Sequence, residues 1–538
     1  MEACKRRYLR GLLFRSLIFR SSIVVFWVVV LCYLLLQSVP QAAAQTNLAG
    51  YWVLHVDNGD GTVRDTFFEL NQDGESITGT LLGRGPHGTP IIGTFKDGQL
   101  KFKTVPPAPP ATAPPAYVPR SISYEGVYQD GKLSLQTENF RHETLHGIAE
   151  KTTREATLPP ARLPLPALRD LPGNGLAKTP PMGWNSWNKF AGKVDDAAVR
   201  SMADAMVSSG MSKMGYLYIN IDDTWQGERD AAGNIVPNRK FPDMKALADY
   251  VHAKGLKIGI YSSPGPKTCA GYEGSFGHEV QDANTFASWG IDYIKYDLCS
   301  ARNIYDSTQD DLQGLYQKMG EALENTHRPI VYSLCQYGEA DVWKWGVKTG
   351  GNLWRTTGDI RDEWASMERI GFSQIAIAPY ARPGQWNDPD MLEVGNGGMN
   401  TEEYRTHMSL WSLLAAPLIA GNDLRSMSDD TKSILMNAEV IAIDQDTAVK
   451  PVQMVAEQGK VEILERPLQD GSVAVGIFNR GDAPADGALS WQSLKLPGKT
   501  LKVRDLWKHE AVATTGDSYS ASVPPHGVVL LKVSSAHK

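Results

Sequence analysis

At 538 residues the chain exceeds one ordinary domain, and a make-up of 42% apolar and 21% charged residues is that of a globular protein with two or three of them. The net charge of -6 is small for this length, and no long basic block occurs in the body of the chain. A nucleic-acid partner is therefore excluded.

Residues 1–44 read differently from the rest. Lys5, Arg6, Arg7, Arg10, Arg15 and Arg20 precede an apolar run over 23–36, and Gln41-Ala-Ala-Ala-Gln45 follows it. This is the pattern of a secretory signal cleaved at small residues near Ala44, which would leave a secreted or periplasmic protein with no membrane contact. An uncleaved anchor is the alternative, although about 15 apolar residues is short for a span. Cleavage also removes Cys4 and Cys32 and leaves Cys269, Cys299 and Cys335. That odd count in an oxidising compartment predicts one disulfide and one free thiol.

Residues 45–157 predict a small all-β module. Tyr51-Trp-Val-Leu-His-Val56 and Ile77-Thr-Gly-Thr-Leu-Leu82 alternate between turn signals such as Asn58-Gly-Asp-Gly61 and Lys96-Asp-Gly98. A Pro- and Ala-rich insert at 106–115 makes a stiff excursion. The module offers no paired carboxylates, which leaves a structural or carbohydrate-binding role. A second Pro-rich stretch makes 158–175 an interdomain linker.

Over 176–445 short apolar strands alternate with helix-period segments, the mark of a parallel α/β sheet. Strands are predicted at 182–187, 216–223, 257–261, 293–297, 329–336, 352–359, 385–391 and 417–423. Helices are predicted at 244–254, from the spacing of Met244, Leu247, Ala248 and Val251, and at 282–289. Eight such units in about 250 residues match a (β/α)8 TIM barrel. From 446 to 538 the alternation returns to period two, predicting a C-terminal antiparallel β-sandwich without helix.

In a (β/α)8 barrel the residues at the C-terminal strand ends are the ones that do chemistry. Here those ends carry Asn185 and Trp187, Asp222 and Asp223, Lys295 and Asp297, Cys335 and Gln336, Arg355 and Asp359, and Asn387, Asp388 and Asp390. Any one of them could be a helix cap or a core residue. Capping gives no reason for a Lys, an Arg and several carboxylates to meet at one mouth. Carboxylates beside Lys and Arg point to glycoside hydrolysis rather than a Ser-His-Asp triad. None of the 11 histidines forms the helical pair that a catalytic zinc usually needs, and no other spacing calls for a metal or organic cofactor. Asp297 follows Lys295 by two residues on one strand, so both face one side and the lysine can keep the carboxylate ionised. Asp359, past a Thr-Thr-Gly turn, is the better acid.

Five segments carry a specific likeness: Thr179-Pro-Pro-Met-Gly-Trp-Asn-Ser-Trp-Asn188, Ile219-Asn-Ile-Asp-Asp-Thr-Trp225, Tyr293-Ile-Lys-Tyr-Asp-Leu-Cys299, Trp354-Arg-Thr-Thr-Gly-Asp-Ile360 and Trp386-Asn-Asp-Pro-Asp-Met-Leu392. From about residue 176 to the C-terminus the chain resembles glycoside hydrolase family 27, the α-galactosidases and α-N-acetylgalactosaminidases. The resemblance implies a retaining double displacement without cofactor, with Asp297 as nucleophile and Asp359 as general acid and base. Their carboxyl groups are then expected about 5–5.5 Å apart. It further implies that Asp222 and Asp223 bind the 4- and 6-hydroxyls, Lys295 the 3- and 4-hydroxyls and Arg355 the 2- and 3-hydroxyls. Trp187 would pack on the sugar face and Asp390 line the pocket. Cys269 and Cys299 match the family disulfide, which leaves Cys335 as the free thiol near the 2-hydroxyl.

The chain departs from the family where Cys335-Gln-Tyr337 replaces Cys-Glu-Trp and Ser262-Ser-Pro-Gly265 replaces Ser-Asp-Ala-Gly. Members that accept an acetamide carry small residues at the first of these places, so Gln336 and Tyr337 favour a free 2-hydroxyl. Retention of Asp222 favours a hexose over a pentose. The expected substrates are terminal α-galactosides in oligosaccharides or polysaccharide side chains. The alternatives are another specificity of the family, α-N-acetylgalactosamine first, or a carbohydrate-binding protein on a decayed barrel. Both catalytic carboxylates are kept, which a lectin does not need.

Overall fold

The computed structural model of the chain describes residues 46–83, 88–106, 121–138, 143–496, 501–513 and 516–535. The expected signal segment and residues 107–115 of the Pro-rich insert lie outside them. Among the described residues, no helix is long and apolar enough to cross a membrane.

Eight short parallel strands run Met182–Asn185, Tyr218–Asn220, Lys257–Ser262, Tyr293–Asp297, Val331–Cys335, Leu353–Arg355, Trp386–Asp388 and Leu418–Ala420. The first seven pair in sequence order, the eighth pairs with the first, and a parallel bridge from Leu392 to Ala420 closes the remaining gap between the seventh and the eighth. The helix-facing residues Trp184, Ile219, Ile258, Ile294, Tyr296, Leu334 and Trp354 join one core, while Tyr218, Tyr293, Val331, Leu353 and Trp386 pack together inside the barrel. This is the expected TIM barrel. Several strands stop before the sequence pattern does, because polar side chains at their ends offer the backbone other partners. Asp222 N–H donates to Ser186 Oγ at 3.0 Å and Asp223 N–H to Asp222 Oδ1 at 2.9 Å, so the chain leaves the ladder at Asn220.

Side-chain caps start the surrounding helices. Asp195 accepts from Ala198 N–H at the head of Asp196–Ser208, and Asp243 does the same from Ala246 for Met244–Ala253. Asn400 and Glu403 form a full capping box on Thr401–Leu414. The helix expected at 282–289 begins earlier, at Glu279.

The stretch at 158–175 is no loose tether. It lies extended along helix Gln309–Asn325, where Arg162 pairs with Asp311, Gln317 donates to Ala167 C=O at 2.9 Å, and Arg169 Nε donates to Glu321 at 2.9 Å. Leu165 and Leu171 pack where Gly314 and Gly320 leave room. A proline-rich backbone makes few bonds to itself, so the helix supplies the partners.

The C-terminal region is an antiparallel six-stranded sheet beside a two-stranded one, with a short 3-10 turn at Trp491–Leu494 that the period-two pattern did not show. Strand Val473–Asn479 is buried along its whole length because each face has a partner. Val473, Val475 and Ile477 join the inner core of these sheets, while Ala474 and Phe478 face the TIM barrel.

The N-terminal module closes on itself as eight antiparallel strands in sequence order, from Gly50–Asp57 to Thr144–Thr152, the last pairing with the first. Trp52, Leu54, Phe68, Leu70, Leu100, Phe102 and Leu133 fill its interior. Eight strands leave a lumen that side chains can plug, so the inside of this barrel is core.

Candidate active site

The strand ends bring most of the expected residues to one mouth. At the first strand, Asn185 Nδ2 donates to Asp222 Oδ2 at 2.8 Å, and its Oδ1 accepts from Trp187 N–H at 2.8 Å, which sets the half-buried Trp187 at the opening. Asp222 Oδ2 also takes the Lys295 ammonium at 2.9 Å. The sequence reading set Lys295 against Asp297, but its direct partner is Asp222 and it acts on Asp297 through space. Two residues along a strand share a face, yet the long lysine side chain reaches across to the second strand's carboxylate.

Asp223 is buried and held by two backbone donors, Ala270 N–H at 2.8 Å and Thr224 N–H at 2.7 Å. Burial pushes its carboxyl up to about 7, with the Asp222 charge adding to it. Ala270 follows Cys269, whose disulfide to Cys299 ties the loop after the third strand to the start of the loop after the fourth.

Asp297 closes the fourth strand and is 4% exposed. Burial raises its pKa, opposed by Lys295 and by a 2.6 Å hydrogen bond that the Tyr337 hydroxyl donates to Oδ1. Tyr337 sits at φ 66°, and its ring lies 5.6 Å from the Arg355 guanidinium and 5.1 Å from that of Arg302. The sequence reading valued Tyr337 only for its bulk. Nothing in a one-dimensional pattern says that its hydroxyl reaches back to Asp297.

Arg355, 3% exposed, gathers the other side of the mouth. Its Nη2 lies 2.8 Å from Asp390 Oδ2 and 3.1 Å from Asp359 Oδ1. Asp390 has a positive φ of 95° and is fixed by Ile360 and Met391 N–H groups, and burial raises its pKa to about 6 against the Arg355 charge. The Asp359 side chain is 70% exposed. Partial desolvation raises its pKa, but Arg355 and Lys295 outweigh that and hold it below the usual carboxylate range. The two expected catalytic groups thus have opposite surroundings, one enclosed and one reaching into solvent on an arginine.

Cys335 is a free thiol, fully buried, with Sγ 3.8 Å from Arg355 Nη1. Gln336 is also fully buried, and neither atom of its amide finds a partner among the described residues. Neither side chain presents surface to the mouth. Cys269, Asp297 and Cys299 come within 4.8 Å of one another, but the disulfide consumes both thiols and leaves no thiolate for a metal.

A family model described as alpha galactosidase A matches residues 179–446, and the alpha galactosidase C-terminal beta sandwich domain matches 458–533. An α-galactosidase of Cyamopsis tetragonoloba is 49% identical over 363 residues, 66% of this chain and 87% of its own length. The crystal structure of α-galactosidase I from Mortierella vinacea, 40% identical, superposes with a TM-score of 0.65 over 68% of this chain and 100% of its own. A Bacteroides fragilis structure provisionally assigned as an α-galactosidase/melibiase, 32% identical with a TM-score of 0.64, covers 90% of this chain and 98% of its own. That span is too long to leave out the N-terminal strands. Two models in the right order, and a relative this similar over most of its length, show that the chain belongs to glycoside hydrolase family 27, the α-galactosidase family.

Proposed function

We propose that this α-galactosidase removes terminal non-reducing α-D-galactosyl residues by a retaining double displacement, with Asp297 as nucleophile and Asp359 as general acid and base. The observation that carries this is the contrast between the two carboxylates at one mouth. Asp297 is rigidly held by Tyr337 and enclosed, as a nucleophile must be to form a bond at a fixed point. Asp359, held by Arg355 yet 70% exposed, reaches into solvent where a leaving group departs and the water that replaces it arrives.

In the first step Asp297 attacks the anomeric carbon, the glycosidic C–O bond breaks, and the departing oxygen takes the proton of Asp359. In the second, Asp359 removes a proton from water, the water oxygen bonds to the anomeric carbon, and the bond to Asp297 breaks. Asp222, Asp223, Lys295 and Arg355 bind the sugar hydroxyls, Trp187 packs on its apolar face and Asp390 holds Arg355. Cys335 and Gln336 back the wall near the 2-hydroxyl, where the Tyr337 ring fills the space that an acetamide would need. The substrates are α-galactosyl oligosaccharides or galactosyl side chains of polysaccharides.

Nitrophenyl α-galactoside and nitrophenyl α-N-acetylgalactosaminide test the specificity side by side, with proton NMR of the first sugar released. The expected result is galactoside cleavage by at least about 10²-fold in kcat/KM, with α-galactose appearing first. Preference for the acetamido sugar overturns the reading of Tyr337, and β-galactose as first product overturns retention.

Tyr337→Phe isolates the hydroxyl from the ring. A hydrogen bond to the ionised form lowers a carboxyl pKa, so its loss raises that of Asp297. The acid limb of kcat/KM is expected to move up by about one pH unit, with a smaller change at the optimum. An acid limb that stays in place shows that the hydroxyl does not poise Asp297.

A further inference from the structure

The turn of the first N-terminal hairpin, between strands Gly50–Asp57 and Val63–Asp73, docks onto the loops that follow the second and third strands of the TIM barrel. Asp60 at its tip is 3% exposed, a carboxylate buried at a boundary between domains. Oδ1 accepts from Thr62 N–H and hydroxyl at 3.1 and 2.6 Å, which shapes the turn. Oδ2 faces the other domain, accepting from the Tyr272 hydroxyl at 2.7 Å and Asn238 Nδ2 at 3.2 Å, with Lys240 Nζ 3.6 Å away. Arg239 N–H also donates to the Asp60 carbonyl at 3.2 Å.

Three of these partners, Tyr272, Asn238 and Lys240, lead to Asp223. Tyr272 ends a tight turn in which Tyr272 N–H donates to Thr268 Oγ1 at 2.9 Å and Thr268 N–H to Tyr272 C=O at 2.8 Å. That turn presents Ala270 N–H to Asp223 Oδ2. On the other side, Asn238 Nδ2 donates to Thr224 C=O at 2.8 Å and Lys240 Nζ to Thr224 Oγ1 at 3.0 Å. Thr224 is held at φ 84°, and its N–H supplies the second donor to Asp223. Such a conformation persists only where the surroundings impose it. Asp60 therefore ties together the two segments that supply both backbone donors to Asp223.

We propose that Asp60 is a positioning residue for the sugar site, acting through Asp223, so that the N-terminal barrel is a structural part of the active site and not a separately tethered unit. The proposal rests on the reading of Asp223 as a ligand of the galactose hydroxyls. Oδ2 receives two uncharged donors and stands next to a cation, so an amide in its place would put a donor against Asn238 and Lys240.

The test uses the full-length enzyme with Asp60→Asn, Tyr272→Phe, Asp223→Asn and the Asp60→Asn/Asp223→Asn double variant. It reads the inhibition constant of free galactose and the KM and kcat of nitrophenyl α-galactoside. The inhibition constant and KM belong to each folded molecule, so partial loss of folded protein lowers only the apparent kcat. Asp60→Asn is expected to weaken galactose by between about tenfold and a hundredfold, as a small displacement of a binding group does. Tyr272→Phe, which cuts one arm, should do less, and the double variant should bind galactose no worse than Asp223→Asn alone. Unchanged galactose inhibition in Asp60→Asn, or effects that multiply in the double variant, overturn the brace while leaving Asp223 in place. Unchanged inhibition in Asp223→Asn removes Asp223 from the sugar site and overturns the proposal at its base.

Discussion

Asp297→Ala is expected to lower kcat on nitrophenyl α-galactoside by about 10⁴-fold or more, and sodium azide to restore part of it by releasing β-galactosyl azide. The size follows from losing the covalent route altogether, since the remaining binding groups orient the sugar but form no bond to it. The product follows from stereochemistry. Removing the carboxylate opens space on the β face, where azide can bond to the anomeric carbon as the nitrophenolate C–O bond breaks. With the nucleophile gone, no second inversion occurs and the azide stays β. The folded state should tolerate the change, because the described hydrogen bond to the Asp297 carboxylate comes from Tyr337, whose hydroxyl can turn to water. NMR of the azide product decides it. The α anomer would mean that Asp297 is the acid and base and Asp359 the nucleophile.

Much of the barrel was legible because its strands are covered on both faces. Segments such as 257–262 and 293–297 are almost wholly buried and read as apolar runs between helix-period stretches. The strand ends were harder. Asp222 and Asp223 follow Ile219-Asn-Ile221 without a break in the pattern, and only the bonds that their backbone N–H groups donate to side chains show where the ladder stops. In the linker at 158–175 the extended backbone was legible and its seat was not. Proline content signals an extended backbone, but not whether a helix such as Gln309–Asn325 offers it partners.

At the site, the residue types were readable and the pairings were not. Lys295 on one strand face predicted help for Asp297, which it gives through space while its hydrogen bond goes to Asp222. Tyr337 reaches Asp297 only because its backbone turns to positive φ after the fifth strand, a conformation no side-chain pattern announces. Asp60 lies more than 160 residues before Asp223 in a module that shares no motif with the barrel, and only the fold brings its carboxylate to Tyr272.

Asp359→Ala should separate the two steps by leaving group. A general acid contributes about 10²–10⁴-fold, and that loss is expected in full on raffinose-type or alkyl α-galactosides, whose departing oxygen needs a proton. Dinitrophenyl α-galactoside needs none, so its first step should be nearly unaffected and the galactosyl-enzyme should build up as a burst of dinitrophenolate. Azide then attacks that intermediate without a base, on the face the water would have used, giving α-galactosyl azide and faster turnover. The azide anomers from the Asp297 and Asp359 variants must therefore differ, and the same anomer from both would overturn the assignment of roles. The wild-type enzyme adds a check through pH. In the free enzyme Arg355 lies 3.1 Å from Asp359 and, with Lys295, keeps it ionised, which is the wrong state for an acid. A bound galactose would draw Arg355 onto its hydroxyls and cover Asp359, and both changes raise the carboxyl pKa. The alkaline limb of kcat, which reports the complex, should lie above that of kcat/KM, which reports the free enzyme. Coincident limbs would show that Arg355 does not shift its hold when substrate binds.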